Sequence, residues 1–376
     1  MPISAWRAPI FQLVIPLAVG IIFYDWLVPS RAIACSVAIG CVLIAIALNL
    51  LPIKWRWKLQ SLHGASIWTS VVSIGILYGS MRDLRGDADW IGRVANQKLL
   101  WLIECREEAV RTKTGWRIKA DVIGRFDSTA THPAHGGILI YTKDSAFAAL
   151  ATPGRKAWIR TSLHPITNKA GSDFNYVRYC RLNKITHQTF LRSKNDFEFL
   201  SPDENGSRSI LHGIRKSLLH VLYTYLPDST KAGLSAALLI GWKNGLDPDL
   251  KKHYTRTGTV HIIAISGQHI SLVFEILWIL LYPFLYLRGG GYIRTIVVLL
   301  CIWIFCFLAG GEASVLRAGI MFTTLHLGRW LQRPVTGEQA LGLSMMCLLI
   351  ADPDWLFDVG FQLSHAAVLG MLLLQA

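Results

Sequence analysis

Charged residues are scarce in this sequence. They make up 16% of its 376 residues, whereas a soluble domain carries about 25%, and 52% of the residues are hydrophobic. The hydrophobic residues are concentrated in runs that are too long for the core of a globular domain. This composition argues against an ordinary soluble protein and predicts a membrane protein.

Acidic residues are scarcer than basic ones. There are 24 Asp and Glu against 38 Lys and Arg, so the net charge is +14. A basic balance suits a polyanion such as nucleic acid, or the anionic lipid of a membrane surface. It also has a purely topological interpretation, because Lys and Arg collect in the cytoplasmic loops of membrane proteins. Charge alone leaves both interpretations open.

Several chemical signatures are missing from the sequence. None of the seven cysteines stands in a C-x-x-C pair, so we predict no structural zinc site and no other metal site. Nothing is similar to a P-loop or to a nucleophile triad. We therefore predict no catalytic residue and no cofactor, and any energy source must come from a partner.

Long apolar runs lie on both sides of a polar stretch. Three spanning segments are predicted before residue 82, and about five more after residue 257. They cover residues 8–28, 32–53 and 65–81, and then residues near 260–287, 292–310, 314–331, 337–351 and 357–376. The first run also fits a signal peptide, because Arg7 precedes it and Ala32, Ile33 and Ala34 are similar to a cleavage site.

The polar stretch is predicted to form a domain of its own. Period-two alternation within 101–110, 116–122, 138–143 and 157–163 predicts short strands, which favours a small β-barrel or sandwich. An amphipathic pattern from 210 to 226 predicts a helix at the membrane interface. The predicted fold class is an α-helical multi-pass membrane protein with an inserted small β-barrel. Its predicted divisions are 1–81, 82–204, 205–256 and 257–376.

Basic residues in short loops predict the orientation. Lys54, Arg56 and Lys58 mark a cytoplasmic loop, whereas the loop that contains Asp352 and Asp354 carries acids without bases. This pattern puts the N-terminus on the cytoplasmic side. It puts residues 82–204 on the outer face of the cytoplasmic membrane.

Cys105 and Cys180 are the two cysteines of the polar domain. The outer face is an oxidising compartment, so we expect a disulfide between them. Two buried free thiols are the alternative.

Three blocks of sequence carry a resemblance to a known family. They are GSDFNYVRY at 171–179, the segment 238–269 with AISGQH at its end, and AGGEASVLRA at 309–318 together with DVGFQLS at 358–364. On these blocks the chain resembles the N-terminal half of the ComEC competence proteins. The resemblance implies an extracellular OB-fold domain. It also implies a channel component for the uptake of single-stranded DNA during natural transformation.

The resemblance also implies partners. These are single-stranded DNA, membrane lipid, an outer DNA receptor and a cytosolic motor ATPase, and self-association is left open. Many family members continue into a metallo-β-lactamase-like domain, whose His-x-His-x-Asp-His cluster does not occur in this sequence. We therefore expect no enzyme activity, and we expect the chain to be a truncated product or a fragment of a longer protein. The alternative function is a membrane-anchored scaffold or enzyme of the cell envelope whose β-domain binds a glycan or a peptide.

Polar residues inside the apolar runs are the candidates for a DNA path. A charged group in a membrane span is unfavourable by about 2.5–3.5 kcal/mol on insertion scales, so such groups face a cavity or one another. The predicted lining is His261, Ser266, Gly267, Gln268, His269, Ser314, Arg317, Asp358, Gln362 and Ser364. The planar guanidinium of Arg317 suits a phosphate, and an ion pair with Glu312 or Asp358 is the alternative.

Aromatic and basic residues alternate near the end of the polar domain. Tyr176, Arg178, Tyr179 and Arg181 follow one another closely, which is typical of surfaces that hold single-stranded DNA. Packing of the two tyrosines onto the barrel is the other interpretation. We predict that these four residues contact DNA.

Overall fold

The computed structural model of the protein forms two compact units. It describes residues 9–95, 97–112, 114–127, 130–168, 171, 173–192, 196–201, 207–259 and 265–374. The helical unit consists of Met1–Arg82 and Leu222–Ala376, and the sheet unit of Asp83–Val221. The four divisions of the chain that the sequence predicts stay a prediction.

Helices and strands alternate in blocks along the chain. The helices are α1 (Phe11–Leu27), α2 (Arg31–Leu50), α3 (Ile53–Lys58), α4 (Gln60–Arg82), α5 (Ser145–Leu150), α6 (Tyr176–Leu182), α7 (Ser207–Tyr225), α8 (Ser229–Ile240), α9 (Pro248–Arg256), α10 (Gly267–Leu280), α11 (Gly290–Leu308), α12 (Ala313–Trp330), α13 (Gly337–Ala351) and α14 (Val359–Leu374). The strands are β1 (Leu99–Cys105), β2 (Val110–Thr112), β3 (Gly115–Asp127), β4 (Ala130–Thr142), β5 (Lys156–Thr161), β6 (His164–Pro165), β7 (Ile185–Leu191) and β8 (Phe197–Phe199).

Three helices of the described residues are long and apolar enough to cross a membrane. They are α2, α4 and α11. Further apolar helices of 10–17 residues are α1, α8, α10, α13 and α14. The coarse prediction of a mainly helical protein, with helices long and apolar enough to cross a membrane and with an inserted sheet domain, is confirmed. Of the described part of the span predicted over 260–287, helix α10 covers Gly267–Leu280.

Two glycines let α1 and α4 pack closely. A Cβ atom built on Gly20 would lie 2.1 Å from the carbonyl oxygen of Val72, and one built on Gly75 would lie 2.6 Å from a carbonyl oxygen of α1. Small residues are what allow helix backbones to approach in a membrane. Helix α4 also forms a hydrogen bond with α2, because the Ser70 hydroxyl of α4 donates to the Cys41 carbonyl of α2 at 3.0 Å.

Buried side chains of α1 and of α10 to α14 form two cores. Ile270 of α10, Ile302 of α11 and Val315 of α12 are fully buried in one of them. The other joins α1 to α13 and α14, and it includes Leu349 and Phe361. Within a membrane, close van der Waals packing and hydrogen bonds between helices stabilise such cores, because lipid tails are as apolar as the buried side chains. Helix α12 contributes to both cores, which fixes it between the two groups of helices.

The sheet unit is built around one twisted sheet. Its strand order is β6-β7-β4-β3-β1-β5-β8, with β2 added beside β3. Every ladder is antiparallel except that between β4 and β7, which is parallel. Trp101, Ile118, Ile138 and Ile159 are fully buried on the inner face. The indole N–H of Trp101 is satisfied, because it donates to the carbonyl of Thr161 at 3.0 Å.

The sheet curls, but backbone pairing does not close it in the described residues. Strands β5 and β7 approach each other through their threonines. The hydroxyls of Thr161 and Thr189 are 2.6 Å apart, and the Thr189 hydroxyl lies 3.2 Å from the Ser162 carbonyl oxygen, to which it donates. No ladder joins these two strands where both are described. The sheet domain is therefore observed, and closure into a barrel is not.

The disulfide predicted between Cys105 and Cys180 is not formed in the structure. Cys105 and Cys180 are both buried free thiols. Cys105 lies in the core with Ile138, whereas Cys180 packs with the next residue of β4, Leu139, in a separate cluster. Neighbouring residues of a strand point to opposite faces of the sheet, so the sheet itself separates the two sulfurs. Burial raises the pKa of the Cys105 thiol to about 12.

Candidate nucleic-acid path

The start of α10 is organised by a serine and a histidine. Ser266 has an extended backbone, and α10 begins at the next residue. The backbone N–H of Ser266 donates to Nδ1 of His269 at 3.2 Å, and the Ser266 hydroxyl lies 3.0 Å from the same nitrogen. The polar residues of this segment therefore hold the helix terminus in place. The N-terminus of a helix carries partial positive charge and exposes backbone donors.

Arg317 approaches this terminus from α12. Its Nη2 atom lies 2.9 Å from the place where a Cβ would stand on Gly267, so any side chain at Gly267 would displace the guanidinium. Arg317 is 7% exposed. Its one described hydrogen bond runs from Nη1 to the sulfur of Met321 at 3.7 Å, and its buried Nε has no partner in the described residues. The guanidinium is therefore buried beside the positive end of a helix.

Arg317 makes no ion pair with Glu312 or Asp358, which the sequence left as alternatives. No salt bridge of Arg317 occurs within the described part of the chain. Asp358 instead caps α14, where its Oδ1 accepts from the backbone N–H of Phe361 at 2.8 Å. A buried cation without a carboxylate is strongly unfavourable unless another anion or water reaches it.

A cavity of about 720 Å³ opens between α10, α12 and α14. Seven of the predicted residues line it: Ser266, Gly267, Gln268, His269, Ser314, Arg317 and Ser364. Ser314 also ties α12 to the segment before α10, because its hydroxyl donates to the carbonyl of Ile265 at 3.3 Å. The structure thus brings together polar residues from three segments that are distant in sequence. Their role in a DNA path stays a prediction.

Two of the predicted residues, Asp358 and Gln362, are not part of this arrangement. Asp358 is the cap of α14 and does not line the cavity. Gln362 lines a different, apolar cavity on the other side of α14, and its side-chain amide donates to the carbonyl of Leu356 at 2.8 Å. Gln362 and Ser364 are two residues apart, about 200° around a helix, so they face opposite ways. His261 lies outside the described residues.

The apolar part of the cavity wall was missed by the sequence reasoning. Met321, Phe322 and Leu325 of α12 and Leu363 of α14 line it beside the polar groups. The sequence does not distinguish an apolar residue that lines a cavity from one that faces lipid, because nearly every position of a spanning helix is apolar. Only the spacing of Arg317 and Met321, one helical turn apart, links the wall to the arginine.

The four predicted residues of the sheet unit lie on or beside α6. Tyr176 is half-buried against the cluster around Cys180, and burial raises the pKa of its hydroxyl. Tyr179 is 52% exposed, and its ring lies 6.2 Å from that of Tyr176. Arg178 is exposed and Arg181 is half-buried. Packing therefore explains Tyr176, and contact of any of these residues with DNA stays a prediction.

One comparison, with family models, concerns the helical unit. The model of the family "Competence protein" matches residues 238–376, a range that contains every residue of the cavity between α10, α12 and α14. The chain is 31% identical over 201 residues, 53% of its length, to ComE operon protein 3 of Bacillus subtilis, and this match covers 25% of that protein. The chain is also 32% identical over 148 residues, 38% of its own length, to Recombination protein 2 of Haemophilus influenzae, and this match covers 18% of that protein.

The chain thus spans about a quarter of the length of these relatives or less. No solved structure matches the chain significantly.

Proposed function

This chain belongs to the Competence protein family through residues 238–376, and on that premise we propose that it is a membrane component of a DNA-uptake channel. Its cargo is one DNA strand, which crosses the cytoplasmic membrane during natural transformation. The helical unit contributes to the channel. The sheet unit holds the strand outside the membrane.

The observation that carries this proposal is the buried guanidinium of Arg317. It lines a cavity beside the N-terminus of α10 and has no carboxylate partner among the described residues. A DNA phosphate would supply the missing negative charge. The guanidinium fork binds phosphate oxygens through two parallel hydrogen bonds, and a helix N-terminus offers further donors.

The apolar wall serves the same cargo. Met321, Phe322, Leu325 and Leu363 present side chains without sequence-specific donors or acceptors. Every base has an apolar π-face, so such a wall tolerates any sequence that passes. A channel for DNA requires this tolerance, because a base-specific site would stop the strand.

The strand pairing of the sheet unit supports its interpretation as an OB-type domain. Its strands β3 and β4 form a long hairpin, β1 pairs with both β3 and β5, and β7 pairs with β4 in parallel. The threonines that link β5 to β7 lie where a partly open five-stranded barrel would close. We place this domain on the outer face. An outer DNA receptor and a cytosolic motor ATPase are the partners that the family resemblance implies.

The orientation has its own test. Lys54 and Lys58 lie on α3, which also exposes Trp55 and Trp57, a composition typical of a membrane interface on the cytoplasmic side. We expect a membrane-impermeant maleimide to label the variant Ser145→Cys in intact cells and to leave Arg56→Cys unlabelled until the cells are opened. The reverse pattern would reject the outer position of the sheet unit.

The DNA path is tested by cross-linking during transport. A photoreactive amino acid replaces Ser364, which lines the cavity with Arg317, or Gln362, which faces the other way on the same helix. Illumination of cells that are taking up labelled DNA should attach the label to the chain from position 364 and not from position 362. Equal labelling from the two positions, or none from position 364, would contradict a path through this cavity.

A further inference from the structure

One end of the sheet unit contains a cleft. None of the residues that the sequence predicted to contact DNA lines it. It has a volume of about 580 Å³ and lies between the turn from β2 to β3, the end of β4 and the end of β7. We call it the aromatic cleft and define it by Trp116, Tyr141, Lys143, Phe190 and Arg192, which line it.

The register of the sheet brings two of these rings together. Tyr141 of β4 pairs with Arg117 of β3 on one side and with Phe190 of β7 on the other. Directly opposed residues share a face of the sheet, so one row runs from a cation to two aromatic rings. The rings of Tyr141 and Phe190 are 5.3 Å apart and inclined by only 20°. Phe190 is 53% exposed whereas Tyr141 is half-buried, so the Phe190 ring is the part of this platform that is most open to solvent.

No carboxylate among the described residues neutralises the cations around the cleft. Lys143 and Arg192 line it, and the Arg111 guanidinium lies 6.0 Å from the Trp116 ring. Among the described residues no carboxylate lies within ion-pair distance of these three side chains. Lys119, farther along β3, differs from them because it pairs with Glu107 at 3.1 Å. The charge of the cleft is therefore positive, and an anion complements it.

We propose that the aromatic cleft binds unpaired bases of single-stranded DNA. A base stacks on the platform of Phe190 and Tyr141, and Lys143 and Arg192 contact the phosphates on either side of it. Stacking on exposed aromatic rings combined with a positive groove is how proteins hold single strands without sequence preference. The proposal rests on the proposed function, in which a single strand is the cargo. A neutral glycan would also stack on aromatic rings, but it would leave the unpaired cations without a counter-charge.

The test uses the full chain in detergent and a fluorescent oligothymidylate of about 16 nucleotides, read by anisotropy. Phe190→Ala should weaken binding by about 5-fold to 100-fold, because one stacked base is lost. Phe190→Tyr keeps an aromatic ring and should bind within about 3-fold of the wild type. The matched control is Phe126→Ala at the other end of β3, where the ring is 39% exposed, and its affinity should not change.

A second readout separates charge from stacking. Affinity for a single strand falls as the salt concentration rises, and Lys143→Gln should make this dependence shallower. The slope of log affinity against log salt concentration should decrease in magnitude by about 0.7, the value for one phosphate contact to a single strand. A duplex of the same length should compete far less well than the single strand, because its bases are not free to stack. Equal competition by the duplex would overturn the stacking role.

The outcomes distinguish this inference from the proposed function. If Phe190→Ala binds the oligothymidylate as tightly as the wild type, the aromatic cleft is not the site, while uptake of DNA through the helical unit still stands. If the wild-type chain binds a chitin oligosaccharide and no oligothymidylate, the cleft is a glycan site and the inference is rejected. Loss of oligothymidylate binding in both Phe190→Ala and Phe126→Ala would also reject it, since the effect would not be local to the cleft.

Discussion

Arg317→Ala should reduce the uptake of labelled DNA by about tenfold to 100-fold, because hydrogen bonds to a charged group contribute about 1.5–3 kcal/mol. The guanidinium is the one buried cation of the described cavity between α10, α12 and α14, and no carboxylate neutralises it there. Removing it should leave the amount of protein in the membrane unchanged. Its removal should also leave thermal stability equal or higher, because a buried unpaired charge is unfavourable.

Two companion variants make the Arg317 prediction specific. Arg317→Lys keeps the charge and loses the planar fork, so uptake should recover only in part. Arg329→Ala removes an exposed arginine from the other end of the same helix and should leave uptake unchanged. If Arg317→Ala cells took up DNA at the wild-type rate, or if the loss followed a fall in protein level, the phosphate contact would be rejected.

Gly20→Ala should destabilise the helical unit by about 1–3 kcal/mol, the usual penalty for overpacking a tight contact. The added Cβ would lie 2.1 Å from the carbonyl oxygen of Val72 and 2.9 Å from the Cα of Gly75, so α1 and α4 would have to move apart. Both contacts are to backbone, which cannot rotate away as a side chain would. The measurement is thermal unfolding of the purified chain in detergent, together with the yield of folded protein.

Gly40→Ala is the matched control for this prediction. Gly40 lies within α2, and a Cβ built there meets no atom within 4 Å. Alanine at that position should be neutral or slightly stabilising, because glycine is a weaker helix former by about 1 kcal/mol. Equal stability of Gly20→Ala and Gly40→Ala would show that α1 and α4 do not pack as closely as described.

Much of the architecture followed from hydrophobic patterns alone. The apolar runs that became α2, α4 and α11 are long, so their identity as helices did not depend on the rest of the protein. The strands β3, β4 and β5 were visible because period-two alternation is strong where one face is buried. Strand β7 was missed. It pairs in parallel with β4, from which it is far in sequence, and a pattern along the chain does not reveal such a partner.

The candidate path shows where sequence reasoning stops. The sequence marks Ser266 to His269, Arg317 and Ser364 as polar residues within apolar runs, and in the structure they line one cavity. The sequence could not tell the faces of α14 apart, since both Gln362 and Ser364 are polar. Only the packing of α14 against α1 and α13 turns Gln362 away from Arg317. Likewise, the sequence did not show that the sheet separates Cys105 from Cys180.

The most direct measurement of the central claim is entry of a labelled DNA strand into the cytoplasm of competent cells of the source organism. The gene is deleted in frame, and the same gene is then returned on a plasmid. The account predicts that deletion abolishes entry of the strand, while DNA still binds at the cell surface, and that the returned gene restores entry. Unchanged entry of labelled DNA in the deletion strain would contradict a role of this protein in DNA uptake.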